Sequence, residues 1–126
     1  MSQICVVTGA SKGIGAAIAD ALEARGDQVL RVSRHHGLQA DVATVEGRDA
    51  IVEAVAGLGR LDLLVHNVGT NVRQPTAEMA PETFTHILQT NTVPPFELGQ
   101  RLLPFLERSD RASVVHVSSV AAARTV

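Results

Sequence analysis

The stretch Thr8-Gly-Ala-Ser-Lys-Gly-Ile-Gly15 holds the residue types best suited to bind a charged group. It follows the apolar run Ile4–Val7 and opens a helical pattern. Gly9, Gly13 and Gly15 are spaced G-x-x-x-G-x-G. Glycines there let the backbone turn sharply and approach a ligand, while the next helix offers unpaired N–H groups and a partial positive charge. That combination suits a diphosphate, with a plain tight turn as the structural alternative. Lys12, the only lysine, sits inside the stretch, and Ser33-Arg34 closes the next apolar run with no acid beside it. His35 and His36 are adjacent, cannot both face one ion from a regular strand, and read as solvated loop residues. A metal role for the lone strand-end His66 is disfavoured. Cys5, the single cysteine, excludes an intrachain disulfide and reads as a small core residue.

Elements in alternation must position these groups. Ile4–Val7 is suited to a strand buried on both faces, followed by Ile14, Ala17, Ile18, Ala21 and Leu22 at helical spacing up to Gly26. Gln28–Ser33 is a second strand, which completes a βαβ unit. Leu38–Val42 reads as the end of a third strand, yet Arg34–Gly37 leaves no room for a crossover helix before it; that strand is either very short or reached by an extended loop. Residues 44–58 place Val45, Ile51, Val52, Val55 and Leu58 near one helical face, and Leu61–His66 is the next buried strand. A long helical pattern from Pro81 runs through Phe84, Ile87, Leu88, Leu98, Leu102 and Leu106, with Pro94-Pro95 expected to bend or interrupt it. Ala112–Val117 is the last strand. This alternation predicts an α/β fold with a doubly wound parallel sheet of about five strands, whose ligands sit beyond the carboxyl ends of the strands.

The chain has 126 residues, 45% of them hydrophobic, and a formal net charge of −2. These values predict a single domain over residues 1–126 and give no electrostatic reason to expect nucleic acid or an anionic membrane as partner. No window approaches a membrane span and no basic-flanked apolar segment opens the chain, so a cytoplasmic location is expected.

Taken in order, TGASKGIG, Asp41-Val42, His66-Asn-Val-Gly69, Asn91 and VSSV resemble the short-chain dehydrogenase/reductase family over essentially the whole chain. The run HNVGTNVRQPT is most similar to its tropinone-reductase-like members. The resemblance implies a Rossmann-type fold in which Gly9, Ser11, Lys12, Gly13, Ile14 and Gly15 surround the phosphates of a nicotinamide dinucleotide. Asp41 and Val42 would then meet the adenine, and Asn67, Val68 and Gly69 would border the ribose and nicotinamide. His66 stands where the family often has asparagine. An acid at the end of the second strand would repel a 2′-phosphate; Arg34 there, with Lys12 nearby, favours NADP(H) over NAD(H). The alternative for Arg34 is a solvated surface charge.

Family members reduce carbonyls or oxidise alcohols with an Asn, a Ser, a Tyr and a Lys. The resemblance assigns the first two to Asn91 and Ser119, with Ser118 as a structural neighbour. The chain contains no tyrosine, and its one lysine belongs to the phosphate loop. The family's Tyr-x-x-x-Lys pair would fall beyond Val126, so binding is expected without turnover by the chain alone. A noncatalytic nucleotide-binding or interaction protein is the alternative. One helix, about residues 12–25, would cover one face of the sheet, and the last strand would keep an apolar edge. A homo-oligomer, a complementing chain, or a sequence covering the amino-terminal part of a longer enzyme would each resolve this.

Overall fold

A computed structural model describes residues 2–124. Five strands form one parallel sheet in the order β3-β2-β1-β4-β5. They are β1 Ile4–Thr8, β2 Gln28–Ser33, β3 Leu38–Gln39, β4 Leu63–His66 and β5 Ser113–His116. The helices are α1 Gly13–Ala24, α2 Val45–Leu58, α3 Pro81–Asn91 and α4 Val93–Leu106.

The sheet forms because Ile4–Val7, Leu63–Val65 and their neighbours are apolar without alternation, which requires cover on both faces. The cover is unequal. One face packs Val6, Val32 and Leu64 against Ile51 and Val55 of α2 and Leu98, Leu102 and Leu106 of α4. The other packs Cys5, Val7 and Val65 against Ala19 and Leu22 of α1, the only helix on that side among the described residues. β5 is exposed along its length, with Val114 and Val115 pointing to opposite faces, 45% and 44% exposed. At the amino ends of the strands two buried aspartates tie the sheet. Asp27 accepts from the Gln3 N–H at 2.9 Å, and Asp62 accepts from the Ile4 N–H at 2.7 Å and the Ser109 hydroxyl at 2.6 Å.

Three expectations need correction. The third strand is only Leu38–Gln39 and does not extend to Val42. The Ala40 N–H still bonds to the Ser33 carbonyl of β2 at 2.9 Å, but Ala40 and Val42 lie beyond the strand and are apolar because they pack into the core beside α2. The long helix is two helices, and the break falls at Thr92 rather than at the prolines. Pro94 and Pro95 lack the N–H groups that would bond back to Thr90 and Asn91, so α3 cannot continue. The same prolines are well placed in the first turn of α4, where N–H groups have no intrahelical partner anyway. Finally, β4 starts at Leu63; Leu61 is buried just before it, and its N–H bonds to the Phe105 carbonyl.

Candidate functional site: the cleft beyond the carboxyl ends of the strands

The turn after β1 is built around close approach. Gly9 and Gly13 have φ of 64° and 59°, the left-handed region that glycine adopts at no steric cost. Gly15 is needed for a different reason: a Cβ there would collide with the Gly9 carbonyl oxygen and the Asn67 amide. A Cβ on Gly13, by contrast, would meet no atom within 4 Å. The bend is fastened at both sides, since the Ala10 N–H bonds to the Val32 carbonyl at 3.1 Å and Asn67 Nδ2 donates to the Gly9 carbonyl at 3.2 Å. Buried Thr8 joins β1 to β4: its hydroxyl donates to the Val65 carbonyl and accepts from the Asn67 N–H at 3.0 Å.

The helices that follow β1 and β3 differ in their amino ends. Thr44 caps α2, its hydroxyl accepting from the Gly47 N–H at 3.0 Å. At α1 the N-cap position is Lys12, in extended backbone, and no side chain caps it. The first-turn amides of α1 are therefore left to an external acceptor, with the positive end of the helix dipole behind them.

A cleft of about 660 Å³ opens in front of this turn. Gly9, Ser11, Lys12 and Gly13 form its floor, Arg34, His35 and His36 its rim after β2, and Asn67, Val68 and Gly69 its wall after β4. Asp41 and Val42 complete the side next to α2. Thus ten of the residues expected to bind the cofactor are brought together; Ile14 and Gly15 lie behind the turn, in α1. Asp41 and Val42 are held by α2. Thr44 Oγ1 donates to the Asp41 carbonyl at 2.8 Å, and Arg48, 4% exposed, donates from Nη1 to the Val42 carbonyl at 2.8 Å. Glu97 of α4 pairs with Arg48 at 3.1 Å, which neutralises the buried guanidinium.

Asn91 and Ser119 do not line this cleft. Asn91 accepts from the Thr70 N–H at 2.7 Å and donates to the Thr70 carbonyl at 2.8 Å, so its amide holds the loop after β4. Ser119 follows β5 and caps a 3-10 turn at Val120–Ala122, where its hydroxyl accepts from the Ala121 N–H at 3.2 Å. His66 is buried at the end of β4 and stacks on His116 of β5, with ring centroids 4.7 Å apart. Its Nε2 has no hydrogen-bond partner among the described residues. Burial, with a smaller contribution from His116, lowers its pKa to about 4. The residues that sequence reasoning missed are Thr8, Gly47 and Arg48, which brace the walls, and His86 and Thr90 of α3, which reach the cleft. His35 and His36 are exposed loop residues, as read from the sequence, and they also line the rim.

Residues 3–126 match the family model described as short chain dehydrogenase. A tropinone reductase homolog from Arabidopsis thaliana is 32% identical across 92% of this chain and 52% of its own length. Senescence-associated protein 13 from the same plant is 35% identical across 92% of this chain and 51% of its own. The structure of a short-chain dehydrogenase from Streptomyces avermitilis superposes with a TM-score of 0.88 at 30% identity, covering 94% of this chain and 50% of that one. Ligand-free aldohexose dehydrogenase from Thermoplasma acidophilum gives 0.87 at 28% identity, with 96% and 51% covered. The chain spans about half the length of the curated relatives it matches. The sheet order, the glycine turn and these matches together make the chain a member of the short-chain dehydrogenase family, oxidoreductases that use nicotinamide dinucleotides.

Proposed function

We propose that this chain supplies the dinucleotide-binding part of an NADP(H)-dependent oxidoreductase acting on a small carbonyl or alcohol. The observation that carries the reading is the uncapped amino end of α1, set behind two left-handed glycines and facing a cleft whose lining includes Lys12 and Arg34. The residues present fit a dinucleotide. Free amides suit a diphosphate, the space beside Gly13 is open, and Asp41 and Val42 offer an acceptor and an apolar edge to an adenine. The hydride chemistry would come from the nicotinamide.

The residues of this chain bind and orient. Asn67 and Thr8 fasten the glycine turn to the end of β4, and Asn91 fixes the loop that would border the nicotinamide. Proton exchange with a substrate oxygen needs an acid tuned toward neutrality, and the sequence contains no tyrosine to serve. Hydride transfer is therefore proposed to be completed by groups outside this sequence, with little or no turnover by these residues alone. The exposed Val114 and Val115, and Phe84 and Phe96 on α3 and α4, support association with a second copy or a complementing chain.

Titration with NADPH and NADH tests the reading. Binding of either supports it, and tighter binding of NADPH supports the phosphate preference. Arg34→Asp should weaken NADPH by about tenfold or more through lost attraction and new repulsion, with little effect on NADH. Equal losses for both would remove Arg34 from the argument.

A further inference from the structure

The side of the cleft next to α2 is one short segment, Asp41–Val42, and because β3 stops at Gln39 no strand ladder fixes it. Its place is set from α2 instead. The Asp41 carbonyl accepts from the Thr44 N–H at 3.0 Å and the Thr44 hydroxyl at 2.8 Å. Gly47 lies so close to that carbonyl that a Cβ would overlap it. The Val42 carbonyl accepts from Arg48 Nη1 at 2.8 Å, and no backbone N–H reaches it among the described residues.

Burying a guanidinium at this point is unfavourable by itself. The Arg48 side chain is 5% exposed, its Nε has no partner among the described residues, and its charge is offset by Glu97 of α4 at 3.1 Å. A buried ion pair of this kind ordinarily adds little to stability over apolar side chains of similar volume, so the fold alone does not call for it. What the pair adds is direction: Nη2 meets Glu97 while Nη1 meets the Val42 carbonyl, and a planar fork held at two points fixes the end of the segment. Arg48 itself does not line the cleft. On the cleft-lining residues, Asp41 Oδ1 accepts from the Ala43 N–H, whereas Asp41 Oδ2 and the Val42 N–H have no partner among the described residues. An acceptor thus stands beside a donor. Adenine carries the complement, an amino group beside a bare ring nitrogen; hypoxanthine carries the reverse, a carbonyl beside a ring N–H.

Resting on the dinucleotide reading above, we propose that Arg48 is a positioning residue that sets the base specificity of the cleft without touching the ligand. With Glu97 as its counter-charge it holds Asp41 and Val42 at the spacing that accepts an amino-bearing purine and rejects the keto-bearing one. Without the fork the segment stays tethered at Asp41 by Thr44 but is loose at Val42, and the donor and acceptor lose their fixed spacing. Discrimination between bases then falls, because a site rejects the wrong partner only when its own polar groups are held where they would be left unpaired.

Calorimetric titration of the protein with NADP+ and with its hypoxanthine counterpart tests this, with 5′-AMP and 5′-IMP as probes without nicotinamide. Wild type should bind the adenine form about tenfold more tightly, the scale of one hydrogen bond to a charged group. Arg48→Met keeps an apolar stem and should bind both forms, with the ratio falling below about twofold. In Arg48→Lys a single ammonium cannot hold the Val42 carbonyl and Glu97 as the fork does, so the ratio should be intermediate; this variant decides the question in the same way if Arg48→Met does not fold. Asp49→Asn, which removes an exposed charge from the same helix, should keep the wild-type ratio. A purely structural role for Arg48 would lower the competent fraction and weaken both ligands by one factor, leaving the ratio untouched. That unchanged ratio, a wild-type ratio near one while the dinucleotides bind, or an equal fall in Asp49→Asn would overturn the proposal and leave the dinucleotide reading standing. Failure of every nucleotide to bind wild type would overturn both.

Discussion

Acid should weaken this fold earlier than its carboxylates would. His66 is 6% exposed, its Nε2 has no partner among the described residues, and its pKa is lowered from 6.5 to about 4, first by burial and then by the neighbouring His116. The fold thus favours the neutral ring. Above pH 6.5 neither the folded nor the unfolded chain carries this proton, and the group does not affect the pH dependence. Between about 6.5 and 4 the unfolded chain binds a proton that the folded chain refuses, so stability falls by up to about 1.4 kcal/mol per pH unit. The total is about 3 kcal/mol, a large share of the roughly 5–15 kcal/mol of an ordinary domain. Below about 4 this contribution levels off, and Asp27 and Asp62, whose carboxyls are held below the usual range by their hydrogen bonds, begin to lose theirs. The chain has no tryptophan or tyrosine, so the assay is urea unfolding followed by far-ultraviolet circular dichroism at a series of pH values. His66→Phe keeps an aromatic ring against His116 and removes the titrating nitrogen. It should match wild type within about 1 kcal/mol above neutrality and lose the slope between about pH 6.5 and 4. His116→Gln should retain most of the slope, because burial is the larger cause. Equal slopes in wild type and His66→Phe would refute the reasoning.

Two glycines of one turn should fail differently. Gly15→Ala drives a methyl into backbone at Gly9 and should cost about 3 kcal/mol or more by thermal unfolding, whereas Gly13→Ala, strained in φ but unobstructed, should cost about 1–2 kcal/mol. Dinucleotide titration of the better-folded Gly13→Ala protein should nonetheless show weakened binding, since its methyl enters the space beside the free amides; wild-type affinity there would contradict this use of the space. Cys5 is fully buried, and burial pushes its thiol up to about 11, so a thiol reagent near pH 8 should label it only as fast as the protein unfolds. Rapid labelling without denaturant would contradict that burial.

The first βαβ unit was legible because its signals are local: an unbroken apolar run, glycines at the bend and apolar residues at helical spacing. The end of the third strand was not. Val42 is apolar for contact with α2, and an apolar residue in sequence does not say whether a strand or a helix will bury it. Proline chemistry correctly marked a break between α3 and α4, but only the missing N–H partners of Thr90 and Asn91 place it at Thr92. Within the cleft, the glycine turn and Asn67 could be found from type and order. The bracing could not, because Thr8 with Asn67, Arg48 with Glu97, and His66 with His116 meet only through sheet register and helix packing. Asn91 was identifiable by position, and its two bonds to Thr70 became visible only when the loop after β4 was in place.

Backbone amide resonances recorded during addition of NADP+ bear most directly on the account. The N–H signals of Gly13, Ile14 and Gly15 should move together, saturably, and more than those of α2, whose first turn is already capped by Thr44. Saturable binding that leaves the α1 amides unmoved, or no binding at all, would contradict the assignment of this turn as the dinucleotide's diphosphate site.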